Sequence, residues 1–122
     1  MDLLWRENKK PMDKKPIVKI EIFIPGEFLG KLSEALYQAG AGRIGQYDHC
    51  LSYSEVMGQW RPLEEAKPFS GTIGEVTNGR ELKVEVNCAW EIVTLVMEAV
   101  RKVHPYEEPV INVIPLINHL FK

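Results

Sequence analysis

Two groups of residues in this sequence have side chains that could bind or transform something. The first is the run His104, Pro105, Tyr106, Glu107 and Glu108, which Trp60 and Arg61 could approach from an earlier loop. An imidazole, a phenol, an indole and two carboxylates offer stacking, hydrogen bonding and cation binding. Their acidic balance disfavours phosphate and favours a cation or a hydrogen-bonded small molecule. The same residues have a structural account: Pro105 stops a helix, His104 caps its last carbonyls and the carboxylates pair with Arg61. The second group is His49, Cys50 and Cys88. Thiolate and imidazole suit copper(I) or zinc, yet three ligands leave a tetrahedral site one short, and small cysteines are common as plain core residues.

Other chemistries find no support. No Ser, His and Asp arrangement can be argued, and no carboxylate pair has a spacing that singles it out for acid and base work. The run Gly40, Ala41, Gly42, Arg43, Ile44, Gly45 lacks the Lys and Ser or Thr of a phosphate-binding loop and follows a helix instead of preceding one. Gly40, Gly42 and Gly45 are therefore expected to act sterically, letting Tyr47 and the helix end pack closely, against a neighbouring subunit among other surfaces. His119, near the C-terminus, is expected to be solvated.

Composition narrows the classes further. The chain has 122 residues, 45% of them apolar, with 15 Lys plus Arg against 17 Asp plus Glu and a formal charge of −2. One soluble domain fits, and any site must be shallow or shared between subunits. The weak negative charge removes the term that drives binding to nucleic acid. No apolar run reaches the length of a membrane span and the N-terminus does not read as a secretory signal, so a cytoplasmic protein with two free thiols is expected.

The elements that must position the candidate residues follow from periodicity. Residues 1–15 read as a flexible tail, 16–116 as one domain and 117–122 as a C-terminal tail. Val18, Ile20, Ile22 and Ile24 alternate along a strand over 17–24 whose other face carries Ile17 and Phe23. Leu29, Leu32, Leu36 and Ala39 recur at helical spacing up to Gly40. A second strand is predicted over 47–56 and a third around Leu82, Val84 and Val86, with an irregular excursion between them that includes the turn pair Asn78 and Gly79. Asn87 is the predicted N-cap of a second helix with Val93, Val96, Met97, Val100 and Val103 on its buried stripe. Residues 110–116 make the last strand. The order is βαββαβ, the ferredoxin-like α+β fold with a four-stranded antiparallel sheet and both helices on one face. Ile17 and Phe23 would leave an apolar patch on the open face, which predicts a homo-oligomer.

Several ordered blocks resemble a known family. The run Gly40 to Tyr47 with Cys50, then Gly58, Gln59, Trp60, Arg61, Pro62, then Pro68, Ile73 and Gly74, and finally His104 to Glu108, resembles the insert domain of the NGG-one-interacting-factor family (DUF34, YqfO type) across residues 16–116. The block around His104 with Pro109 is also similar to the C-terminal part of CutA divalent-cation tolerance proteins. The resemblance implies a PII-like or CutA-like fold, a trimer first and a dimer second, and an effector cleft between subunits. The full-length proteins hold paired metal ions in a lobe that no residue here matches, so the resemblance is to the insert standing alone. It implies a non-enzymatic module binding a small ligand, a divalent or soft metal ion or a partner protein at a subunit boundary. The alternatives are copper or zinc binding of the CutA kind and metal-dependent hydrolysis.

Overall fold

The computed structural model describes residues 15–121. The expected N-terminal tail, apart from Lys15, lies outside the described residues. Strand β1 spans Ile17–Ile24, helix α1 Leu29–Ala39, β2 Ser52–Trp60, β3 Thr77–Ala89, α2 Val93–Val103 and β4 Ile111–Pro115, and the sheet order is β2-β3-β1-β4 with every neighbouring pair antiparallel. This is the ferredoxin-like arrangement that the periodicity predicts.

The core lies between the sheet and the helices. Val18, Ile20, Ile22 and Ile24 on β1 are fully shielded, as are Val84 on β3, Leu32 on α1 and Val96 and Val100 on α2. Each such side chain contributes about 1.5–3 kcal/mol by leaving water. Both helices open with a single 3-10 turn, Gly26–Phe28 and Trp90–Ile92. Helix α1 closes on Gly40 at φ 97°, whose N–H donates back to the Tyr37 carbonyl.

Four local expectations are corrected. First, β2 begins at Ser52 and runs to Trp60, because residues before it are held in loop bonds: Ile44 and Tyr47 exchange N–H to carbonyl bonds at 2.9 Å and His49 sits at φ 56°. Second, Asn78 and Gly79 are not a turn. They pair with Gln59 and Gly58 inside the β2–β3 ladder, and the turn signal of Asn-Gly is overridden by that pairing. Third, Asn87 and Cys88 belong to β3, and Ala89 with extended backbone precedes the second helical segment in place of Asn87. Fourth, Ile17 and Phe23 do not form one apolar patch. They stand at opposite ends of β1, separated on the open face by two diagonal ion pairs, Lys19 Nζ to Glu85 at 3.0 Å and Lys83 Nζ to Glu21 at 3.4 Å.

Residues 77–81 of β3 extend past the end of β1, which reaches only to Leu82, so β2 and β3 continue there as a two-stranded ribbon. The outer edge of β2 has no strand beside it among the described residues, and Tyr53 and Met57 on that strand are exposed.

Candidate functional site

At the end of the sheet where β1 finishes, the projecting ribbon, the loop over 61–76 and the segment after α2 enclose a groove of about 520 Å³. The sequence candidates Trp60, Arg61, Tyr106, Glu107 and Glu108 all line it. The ribbon forms the seat for Trp60 through two missing side chains. Gly58 and Gly79 are directly opposed across the strands, and a Cβ on Gly79 would lie 2.8 Å from the Trp60 ring. The indole N–H donates to the Ser70 carbonyl at 3.0 Å, tying the loop to the ribbon.

Tyr106 makes the floor. Its ring lies 6.5 Å from Trp60 and 6.0 Å from Phe69, which in turn meets Phe28 edge-on at 5.9 Å. Its hydroxyl donates to Glu81 Oε2 at 2.9 Å. Burial first, and the Glu81 carboxylate second, push the phenol well above its usual range, so it stays a donor. Glu81 and Phe69 are groove residues that sequence reasoning missed. Glu81 was hidden in the alternation Glu81, Lys83, Glu85, which reads as a solvated face, and its partner is 25 residues away.

His104 lies behind this floor, only 8% exposed. Its Nε2–H donates to the Phe23 carbonyl at 2.7 Å, and its Nδ1 accepts from the Tyr106 N–H at 3.1 Å. These two partners, a carbonyl and an N–H, specify the neutral Nε2–H tautomer. Burial lowers its pKa from the ordinary imidazole value. The expected capping role is corrected: the side chain bridges β1 to Tyr106, while the His104 backbone N–H bonds to the Val100 carbonyl at 3.0 Å. With both ring nitrogens committed, His104 positions Tyr106 and is not free to ligate a metal. The expected pairing of Arg61 with the carboxylates is also absent among the described residues; Glu107 instead accepts the Lys67 backbone N–H at 3.1 Å.

At the opposite end, His49, Cys50 and Cys88 are not brought to a common point, and the described residues contain no group of three His, Cys, Asp or Glu side chains arranged for a metal ion. Gly42 stands between the two cysteine-bearing segments. Its N–H donates to the Asn87 carbonyl and its own carbonyl accepts the Cys50 N–H, both at 2.9 Å. At φ 76°, with a Cβ position only 2.9 Å from the Cys50 oxygen, this residue must be glycine. Cys88 is buried and its thiol pKa is raised by desolvation. His49 stacks on Tyr37 at 4.1 Å and faces Asp48 Oδ1 at 2.8 Å and Glu34 Oε2 at 3.3 Å. These carboxylates raise its pKa, Asp48 most. Tyr47, expected to be packed by the glycine loop, is 74% exposed. His119, expected to be solvated, sits in the 3-10 turn Asn118–Phe121 with a shielded Nδ1 that has no partner among the described residues.

A βαββαβ sheet with its ribbon extended past the sheet end defines a CutA-like module, and comparison with solved structures agrees. The CutA divalent cation tolerance protein of Archaeoglobus fulgidus superposes with a TM-score of 0.61 over 82% of this chain and 83% of its own, at 20% identity, which establishes the shared fold. A NIF3-related protein of Bacillus cereus superposes with a TM-score of 0.73 at 31% identity, over 84% of this chain but 26% of that protein. In sequence, the GTP cyclohydrolase 1 type 2 homolog of Bacillus subtilis is 35% identical over 116 residues, 95% of this chain. The chain is thus homologous to one segment of these NIF3-related proteins, and it spans about a third of the length of the curated relatives it matches, 31% for that of B. subtilis. No family model matches the chain. Among the described residues no helix is long and apolar enough to cross a membrane.

Proposed function

We propose that this chain is a non-enzymatic, self-associating CutA-like module that binds a small ligand in the groove between the ribbon and the segment after α2. The observation that carries the reading is the groove itself. Aromatic rings, the Tyr106 hydroxyl and three carboxylates, Glu81, Glu107 and Glu108, converge on one open cavity of about 520 Å³, a volume in the range of small-molecule sites. Copper or zinc binding at His49, Cys50 and Cys88 is disfavoured by the Gly42 bonds that separate the cysteine segments.

Self-association follows from the edges. Among the described residues the nine-residue β2 has no strand along its outer edge, Tyr53 and Met57 on it are exposed, and Val113 and Ile114 on the opposite edge strand are 39% and 37% exposed. Such edges in stable proteins are covered or paired. The groove abuts the β2 end of the sheet, so pairing along that edge would place it at a subunit boundary. A trimer is the expected state and a dimer the second.

The cyclohydrolase name borne by the relatives refers to proteins about three times as long, and no residue of the groove supplies a metal-activated nucleophile. The test has two arms. Sedimentation at micromolar concentration should give a closed oligomer that Met57→Lys weakens, and a stable wild-type monomer would refute the interface. Assays for GTP ring opening and phosphoester hydrolysis with added divalent ions should show no turnover, and turnover lost on removing Glu81 or Glu107 would overturn the non-enzymatic reading.

A further inference from the structure

The groove has a chemical bias that points to one ligand class. Its walls are chiefly apolar, with Phe23, Trp60, Pro62, Phe69 and Val110 presenting rings and aliphatic surface. Its charged lining consists of Glu81, Glu107 and Glu108 against Arg61 alone, and the flanking loop adds Glu64, Glu65 and Glu75 against Lys67. Glu81 is the informative member. It lies across the ribbon over Gly58, and a Cβ on Gly58 would come within 2.5 Å of its Oε1, so the glycine makes room for the carboxylate to lie flat. Tyr106 satisfies Oε2, and no cationic side chain pairs with Glu81 among the described residues.

A carboxylate fixed at the foot of an aromatic floor attracts positive charge, and ring faces attract it too through their quadrupoles. An inorganic divalent ion would gain nothing from the rings and would need several oxygen ligands at close range, whereas the described residues hold no group of three acidic, His or Cys side chains so disposed. A ligand with an apolar body and a protonated nitrogen satisfies both halves of the lining.

Resting on the ligand-binding reading above, we infer that the groove selects an organic cation, an amine carrying an aryl or alkyl body, with the body stacked on Trp60 and Tyr106 and the ammonium directed at Glu81 and Glu107. Neutral or anionic analogues of the same shape lose the charge complementarity and bind more weakly.

The test uses three probes of one shape on the full chain: phenethylamine, 2-phenylethanol and phenylacetate, titrated calorimetrically at neutral pH. Phenethylamine should bind at least about tenfold more tightly than 2-phenylethanol, and phenylacetate more weakly than either. Glu81→Gln, which keeps an acceptor for Tyr106, should remove most of that preference. Equal binding of amine and alcohol, or tighter binding of the carboxylate, would overturn the cation assignment and leave the groove as a ligand site. Failure of all three to bind in the wild-type protein would overturn the assignment and the ligand-binding reading together. Because the wild-type series decides by itself, the result does not depend on the variant folding.

Discussion

The two ends of the sheet each hold a histidine, and the two are used in opposite ways. At the groove end His104 is buried and neutral, with one nitrogen donating to a strand carbonyl and the other accepting from the Tyr106 N–H. At the other end His49 is exposed and faces two carboxylates, a setting that favours the imidazolium. The surroundings differ in the same sense. The groove end leaves aromatic rings and carboxylates facing one cavity, while at the glycine-loop end backbone bonds from Gly42 join β3 to the chain entering β2, and the cavity there, about 560 Å³, is lined by Cys88 and His119 but by neither His49 nor Cys50. Clusters of chemically capable residues become a site only where the backbone leaves room between them.

The largest expected effect comes from disturbing the Gly42 bonds that join the two cysteine-bearing segments. Gly42→Ala places a Cβ against the Cys50 carbonyl at a positive φ and should cost about 2–4 kcal/mol in urea unfolding, the sum of a left-handed penalty and a steric one. Amine binding in the groove should be unchanged under conditions where the variant is folded. A cost below about 1 kcal/mol would show that the loop can rearrange and that the two ends differ less than their bonds suggest. Next is His104→Ala, which orphans the Phe23 carbonyl and the Tyr106 N–H and should cost about 2 kcal/mol. Here, unlike at Gly42, groove affinity should fall as well, since Tyr106 loses its support.

Gly79→Ala is smaller in energy. The ring of Trp60 can shift to admit a methyl, so stability should change by about 1 kcal/mol or less, while Trp60 emission, read in a Trp5→Phe, Trp90→Phe background, should move to the red as the indole loses its Ser70 bond. Unchanged emission would place the ring elsewhere.

The smallest effect, and the sharpest contrast, is in pH. His104 has its folded pKa lowered by burial, so its contribution is complete above the unfolded imidazole value and is lost as pH falls through that value toward the folded one. His49 has its pKa raised, so its contribution is complete below the unfolded value and is lost as pH rises through the higher folded one. The stability difference between wild type and His104→Ala should therefore shrink on acidification. That between wild type and His49→Ala should shrink as pH rises and, because His49 and its carboxylate partners face solvent, also on adding salt. Matching slopes for the two variants would refute the contrast.

The sequence was most readable where one period ruled. Val18 to Ile24, Leu29 to Ala39 and Val93 to Val103 declared strand and helices because their burial is one-sided. It was least readable in the ribbon. Gly58, Asn78 and Gly79 look like breakers in one dimension and become ladder residues only when paired across strands, a contact that no local window contains. The site was split likewise. Trp60, Arg61, Tyr106, Glu107 and Glu108 are legible from their types and their place in two loops, whereas Glu81 and Phe69 join them through tertiary placement alone. The cysteines group by residue type alone, and Gly42, bonded to both of their segments, separates them.

The opposed glycines of the ribbon carry an evolutionary consequence. Trp60 rests where Gly79 has no side chain, and Glu81 where Gly58 has none. These positions are therefore expected to change together: a homologous chain that keeps a large ring at 60 favours glycine at 79, while one with a small residue at 60 is released from that preference. Covariation of 60 with 79, and of 81 with 58, would trace the history of the groove through sequences too distant to align by their cores.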